Sequence, residues 1–476
     1  MMQHLSSIPI ENNVARSTLY NCYLMEVPGA QMTSISQRLE SLPMTKVTWT
    51  IMFLVGIGWM FDAMDQGMVS GVIAAIGTDW DLSKYELSWL TSSGIFGMIL
   101  GAALSGAISD RLGRRTVVMY TLLIYSAGSF LCGVSTEYWM LLVFRFITGF
   151  GLGGELPAAS TLVSELSPLK SRGRNVVILE SFWAWGWIAA SLVAFLVIPY
   201  YGWRMAFIIG AVPALFAAVL RFKVPESPRY LELNGRREEA ERIVSQMEAA
   251  AGVESVPDDS PVEKVEKKPW YEEFKLLWKK DNLRTTAVLW VIWFGINFGY
   301  YGFVLWTPSL LTEQGFDIVK SFGFTVIMCL AQLPGYFSAA YLVERWGRKP
   351  TLIVYFFGTA AAAWFFGHSG SETEILVFGC LLYFFALGAW GCVYSYTPEV
   401  YPTDVRGSGN GWAAAFGRIG AFIAPFVVPV LYSSFGSENG FMLVFAVLAA
   451  AFLAVAIVIA VFGKETKGMS LKDVSE

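Results

Sequence analysis

The chain has 476 residues, of which 55% are hydrophobic, 15% aromatic and only 15% charged, and its mean hydropathy is +0.51. A soluble protein of this length does not carry so little charge, so the composition requires a chain that crosses a bilayer several times. The formal net charge of −4 offers no basic face for nucleic acid.

Residues 1–46 are polar, lack the basic-then-apolar order of a cleavable signal, and read as an irregular cytoplasmic tail. Apolar stretches, each of the roughly 20 residues needed to cross a bilayer, follow near 48–76, 87–109, 116–134, 138–164, 174–199 and 203–220, and again near 284–311, 320–343, 350–367, 374–398, 408–432 and 440–462. They predict an all-α polytopic protein of twelve transmembrane helices, with one six-helix bundle over 47–220 and a second over 284–463. Between them, 221–283 is broken by Gly235, by Asp258, Asp259, Ser260 and Pro261, and by a Glu/Lys run to Lys268; this reads as a cytoplasmic linker with short helices, and 464–476 as a second cytoplasmic tail. Basic residues concentrate after spans 2, 4, 6, 8 and 10 and in the C-terminal tail, including Lys170, Arg174, Lys349, Lys464 and Lys467, which places both termini inside a multi-pass plasma-membrane protein.

The cysteines Cys22, Cys132, Cys329, Cys380 and Cys392 show no C-x-x-C spacing and read as free thiols. His4 and His368 fall in a tail and a loop, so neither a histidine-based catalytic centre nor a metal site is expected. Residues 149–154 satisfy G-x-G-x-x-G but lie inside an apolar span with no preceding strand, which argues against a dinucleotide. Gly149/Gly153 and Gly97/Gly101 instead give two G-x-x-x-G pairs that let helices approach closely, as a rocking interface requires. No phosphate-binding loop and no nucleophile–base constellation is present, so the chain does not read as an enzyme or an ATP user, and no cofactor is expected. Uphill work has to draw on an ion or solute gradient.

An acidic-Arg-x-Gly-Arg-basic cassette at 110–115 recurs at 344–349, a displacement of 344 − 110 = 234. A second cassette, E-x-x-P-x-x-x-R-G at 165–173, recurs at 399–407, and 399 − 165 is again 234. A register kept over so much apolar sequence indicates a duplicated membrane unit. These cassettes and the six-plus-six arrangement resemble the major facilitator superfamily across essentially the whole chain. More closely, GWMFDAMDQG at 58–67, GLGGELP at 151–157, LESFWA at 179–184, AQLPGYFSA at 331–339, LGAWG at 387–391, YTPE at 396–399 and AFGRIG at 415–420 resemble the bacterial niacin permeases, relatives of organic-ion transporters and synaptic vesicle glycoproteins. The endings PESPR at 225–229 and ETKG at 465–468 are shared with sugar porters and discriminate poorly.

The resemblance implies a secondary transporter with alternating access that imports a small aromatic monocarboxylate, nicotinate first, by proton symport. Asp110, Arg111, Arg114, Arg115 and Arg172 in one half, and Glu344, Arg345, Arg348, Glu399 and Arg406 in the other, are expected to form a cytoplasmic gate that latches and releases as the halves rock. The alternative is that these charges only orient the spans.

A charge near the bilayer centre costs about 2.5–3.5 kcal/mol and persists mainly where function or pairing compensates. Asp62 and Asp65 lie three residues apart on one face of span 1, Glu155 lies in span 4 and Glu180 in span 5, and these four carboxyls are the candidates for proton coupling. Each can instead sit in a fixed ion pair, for instance with Arg145. A shift of 234 turns Asp62 into Ile296, Asp65 into Gly299 and Glu180 into Ala414, so these sites belong to the first half alone. Arg418, between Gly417 and Gly420, can present a planar fork to a carboxylate, and the organic-anion relatives place an arginine in this span. Trp183, Tyr300, Tyr301, Trp390 and Tyr394 are candidates to hold a flat ring, with Gln332 offering an amide; Trp390 and Tyr394 share a helix face. In the synaptic vesicle relatives the matching tryptophan and tyrosine positions line a central aromatic-ligand site. The expected partners are the small-molecule substrate, the proton and the lipid bilayer, with a monomer as the expected state. Two rival readings stay open: a carrier of organic cations with Asp62/Asp65 as counter-ion, and a membrane binding protein that does not transport.

Overall fold

The structure, a computed structural model, describes residues 35–168, 172–253, 270–401 and 406–467. His4, Cys22, Lys170 and residues 258–261 lie outside the described residues, as do the side chains of Asp110, Arg172, Arg174 and Arg406.

Eleven helices among the described residues are long and apolar enough to cross a membrane, and Tyr138–Glu165, of 28 residues, completes the set of twelve. Spans 1 to 3 are Lys46–Asp79, Lys84–Leu112 and Arg114–Gly133, and span 4 is Tyr138–Glu165. Span 5 is Arg172–Leu196, and span 6 is Trp203–Gly210 continued by Pro213–Lys223. In the second half, span 7 is Lys280–Val304, span 8 is Ile318–Leu330 continued by Gln332–Trp346, span 9 is Arg348–Gly367 and span 10 is Glu372–Val400. Span 11 starts as Arg406–Ile423 and runs through a short turn at Pro425. It is parted from span 12, Asn439–Phe462, at Gly436, whose φ of +75° breaks the helix. Side-chain caps start several spans: Thr45 accepts from the Thr48 amide, Ser83 and Glu86 form a reciprocal capping box, and Asp317 and Ser371 accept from Val319 and Glu374. The break in span 8 precedes Pro334, which has no N–H to continue the ladder.

The tail is not irregular throughout. Ile35–Ser41 is helical, and Ile35, Leu39 and Leu42 are buried in one cluster with Tyr230, Leu231, Val244 and Met247 of the linker. Arg38 donates two bonds of 2.8 Å to Glu248 and one of 2.7 Å to Glu241. Those carboxylates, Glu248 foremost, hold its guanidinium above its ordinary range. Sequence polarity hid this clasp because its apolar residues number only a few. The described linker helices are Pro228–Leu233, Arg237–Ala251 and Trp270–Leu277.

The glycine pairs form a seam inside the first half. A Cβ on Gly97 or Gly101 of span 2 would lie 2.2 or 2.1 Å from the carbonyls of Phe146 or Phe150 in span 4, and one on Gly149 or Gly153 would lie 1.9 or 2.1 Å from those of Gly94 or Met98. Backbones in such contact belong to one rigid body, which corrects the expectation that these pairs serve a rocking interface. Gly149→Ala is therefore expected to cost about 1–3 kcal/mol or more through overpacking, whereas Gly411→Ala, with open space around it, leaves stability unchanged; thermal unfolding in detergent compares the two.

The halves meet toward the face opposite the described termini. Ser70 Oγ donates to the Val304 carbonyl at 2.9 Å, and since 304 − 70 = 234 this contact joins equivalent positions of the repeat. Ser88 and Ser92 of span 2 donate to the carbonyls of Pro425 and Phe422 at 2.8 and 3.0 Å. Ser191 of span 5 bonds Cys329 of span 8 at 3.1 Å, and Lys84 pairs with Glu313 at 2.8 Å.

Candidate functional site

On the face carrying the termini, the repeated cassettes build two matching networks, one in each half. Gly113 and Gly347, 234 residues apart, take φ of +96° and +106°, and there the chain turns between spans 2 and 3 and between spans 8 and 9. Only glycine adopts that backbone readily, and an added Cβ would meet Glu226 at 2.2 Å or Glu465 at 2.7 Å. Glu226 Oε1 accepts from the Arg115 amide at 3.0 Å, and Glu465 accepts from the amides of Arg348 and Lys349, each at 3.0 Å. Arg114 pairs with Glu165 at 3.5 Å, and Arg348 forms a bidentate pair with Glu399 at 2.8 and 2.9 Å. Ser227 and Thr466 each donate a hydroxyl to the same glutamates, Glu165 and Glu399.

These bonds tie helix ends within a half. Glu344, expected to be a latch member, is 76% exposed and among the described residues meets only Arg348 of its own half, at 3.4 Å. Arg345 donates to Tyr341 at 2.9 Å, and Arg111 offers its carbonyl to Tyr230 at 2.8 Å. Glu226 and Glu465 lie in the endings shared with sugar porters and were not among the expected site residues; their common signal is an acidic motif just after the last span of each half. Removing Glu399 is expected to lower stability by about 1–3 kcal/mol, because the partly buried Arg348 fork loses its acceptor, while Glu344→Ala leaves the unfolding temperature where it was.

Deeper in the first half, the four carboxyls divide. Asp65, fully buried, accepts from Arg145 at 3.0 Å and from Ser129 at 2.8 Å. Gly94 and Gly210 make room for this triad, for a Cβ there would approach Arg145 at 3.2 Å or Ser129 at 2.5 Å. Asp62 and Glu155 face each other within hydrogen-bonding reach, beside the Tyr125 hydroxyl and within the field of Asp65. All three are buried, and none of the four carboxyl oxygens accepts from a donor among the described residues. Gly58, one turn before Asp62, admits Glu155: a Cβ on it would lie 2.8 Å from Oε1. Glu180 stands apart, 6% exposed and with no hydrogen-bond or ion-pair partner among the described residues.

Between the halves runs a wall of rings. Trp183 lies 5.1 Å from Trp59, and Tyr300 lies 5.5, 5.9 and 6.0 Å from Tyr301, Trp187 and Trp390, centroid to centroid. Trp390 stacks on Tyr394 at 5.7 Å, and Trp293 stands edge-on to both, at 5.8 and 5.4 Å. Such offset and edge arrangements are the favourable ones. Trp187, one helical turn beyond Trp183, and Trp293 were not anticipated; the i, i+4 spacing on span 5 was the available signal for the first. Gln332 is fully buried with neither amide atom bonded, and the Trp390 indole N–H also lacks a partner among the described residues. The charge of Arg418 reaches both Tyr301 and Tyr394, and no carboxylate or carbonyl among the described residues accepts from its half-buried guanidinium. Gly417 and Gly420 let its helix close on span 7, since a Cβ there would lie 2.8 Å from the Trp293 carbonyl or 2.5 Å from that of Phe294.

Two six-helix halves that repeat each other, with aromatic rings gathered where they meet and buried charges beside them, define a solute carrier of the major facilitator type. The chain belongs to the family described as sugar (and other) transporter, which it matches over residues 29–476. It is 47% identical to the niacin transporter NiaP of Acinetobacter baylyi over 92% of this chain and 98% of that one. It is 42% identical to the putative niacin/nicotinamide transporter NiaP of Bacillus subtilis over 88% and 96%, and 30% identical to the synaptic vesicle 2-related protein of Xenopus laevis over 84% and 76%. The fold also matches the xylose transporter XylE of E. coli in its partially occluded inward-open form, with a TM-score of 0.71 at 21% identity over 90% of this chain and 100% of that one.

Proposed function

We propose that the chain imports nicotinate with a proton across the plasma membrane, as a monomer with both termini cytoplasmic. The observation that carries this reading is Arg418: a half-buried guanidinium whose charge acts on Tyr301 and Tyr394 and which pairs with no anion among the described residues. A charge so placed demands a partner, and an aromatic carboxylate supplies both the anion and the flat ring. Trp183, Tyr300, Tyr301 and Trp390 hold the ring, Tyr394 and Gln332 supply polar contacts, and Arg418 takes the carboxylate bidentately. The identity to named niacin transporters points to the same cargo.

The proton falls to Asp62 and Glu155. Asp65 is committed to Arg145, whereas Asp62 and Glu155 are buried neighbours with no donor among the described residues, and two like-charged carboxyls close together in a dry site favour keeping a proton. The organic-cation reading is less well supported, since it needs Arg418 neutralised by the protein. As halves rock, the cassette networks move with their own half and keep its helix ends together. Thermal-shift measurements with pyridine and benzene carboxylates, their amides and aromatic cations test the cargo class: carboxylates are expected to stabilise the protein, and stabilisation by cations alone would overturn the reading.

A further inference from the structure

A carboxylate bound at Arg418 leaves the rest of the ring to be read, and the first half brings one carboxyl, Glu180, close to Tyr394. Glu180 lies one turn before Trp183 and Ala184 on the same face of span 5. Ala184 is buried against Tyr336 of span 8 and Leu387 of span 10, with Trp183 and Trp390 packed around them. The charges of Glu180 and Arg418 both act on Tyr394, with opposite sign. They do not pair with each other or with any other described residue. Among the described residues the charge of Glu180 acts on the tyrosines Tyr336 and Tyr394. The site therefore brings a lone, buried carboxyl from the first half and a cationic fork from the second within reach of the same tyrosine, Tyr394, next to Trp183 and Trp390.

We propose that Glu180 recognises the ring nitrogen of the cargo, so that the site selects pyridine carboxylates over benzene carboxylates. This rests on the aromatic-acid reading above and adds a specificity that Arg418 cannot provide, because nicotinate and benzoate present the same carboxylate to it. A pyridine nitrogen is an acceptor only, and the carboxyl O–H of Glu180 donates to it. No bond in the cargo breaks, and the proton stays in the hydrogen bond. Benzoate would place a C–H against the carboxyl and leave a buried donor unsatisfied, the kind of mismatch by which polar sites reject analogues.

The test is equilibrium binding of nicotinate, its positional isomers and benzoate to the purified full chain, in wild type, Glu180→Leu and Glu180→Gln. Wild type is expected to bind benzoate roughly 10- to 100-fold more weakly than nicotinate. Glu180→Leu brings the two together, by weakening nicotinate and not benzoate. Glu180→Gln, whose amide N–H still donates, retains most of the preference. Equal binding of nicotinate and benzoate by wild type would overturn the proposal without help from any variant, as would an unchanged preference in Glu180→Leu or its loss in Glu180→Gln. Failure of the underlying reading looks different: wild type would then bind neither acid.

Discussion

Arg418→Ala is expected to abolish measurable nicotinate binding, a loss of at least about 3 kcal/mol or roughly 100-fold. A charge-assisted, bidentate contact in a ring-lined site has no substitute there, for among the described residues no other basic group acts on Tyr301 and Tyr394. The same substitution should leave the empty protein's unfolding temperature unchanged or slightly raised, because Arg418 makes no hydrogen bond or ion pair to the described residues and an unpaired charge in a poorly solvated place stabilises nothing. Arg418→Lys keeps the charge and loses the fork, so its affinity should fall between the two. Radioligand binding and thermal unfolding on the same preparations separate these effects. A variant that lost stability together with binding would show a structural arginine.

Asp62→Asn and Glu155→Gln are expected to uncouple transport. Each should still exchange nicotinate across a liposome membrane, because the rings and Arg418 are untouched, yet neither should accumulate it against a gradient, because the carboxyl pair that takes up and releases the proton is broken. Asp65→Asn should behave otherwise. It strands Arg145, 4% exposed, without its counter-charge, and breaking one partner of a buried pair costs about 3–5 kcal/mol. Its signature is poor folding, measured as loss of monodisperse protein, and Arg145→Gln paired with Asp65→Asn should recover part of it. Counterflow assays read the first prediction and size-exclusion profiles the second. An Asp62→Asn protein that still concentrated nicotinate would move the proton elsewhere.

Much of the architecture was legible because membranes impose simple rules. Span lengths follow from bilayer thickness, and the 234-residue register marked the duplicated unit; the repeat reappears in space as Ser70 meeting Val304 and Gly113 matching Gly347. What periodicity could not supply was which side chain faces which. Asp62 and Asp65 share a helix face, and only the packed structure separates them, one toward Glu155 and the other toward Arg145. The seam between spans 2 and 4 was visible as glycine spacing, but spacing carries no information on whether the partner helix belongs to the same half. Glu226 and Glu465 were passed over because their motifs are widespread, although that is what closing a turn at a positive-φ glycine requires. The clasp of Arg38 on Glu248 and Glu241 spans about 200 residues of chain, a distance at which local patterns are silent.

On this mechanism a carboxylate and a proton cross together, carrying no net charge. Proteoliposomes holding the purified protein test it with labelled nicotinate under two separately imposed forces. An inside-alkaline pH gradient, worth about 1.4 kcal/mol per unit, should drive accumulation, and a potassium-diffusion potential at equal pH should drive none. Uptake that followed the potential and ignored the pH gradient would contradict the account.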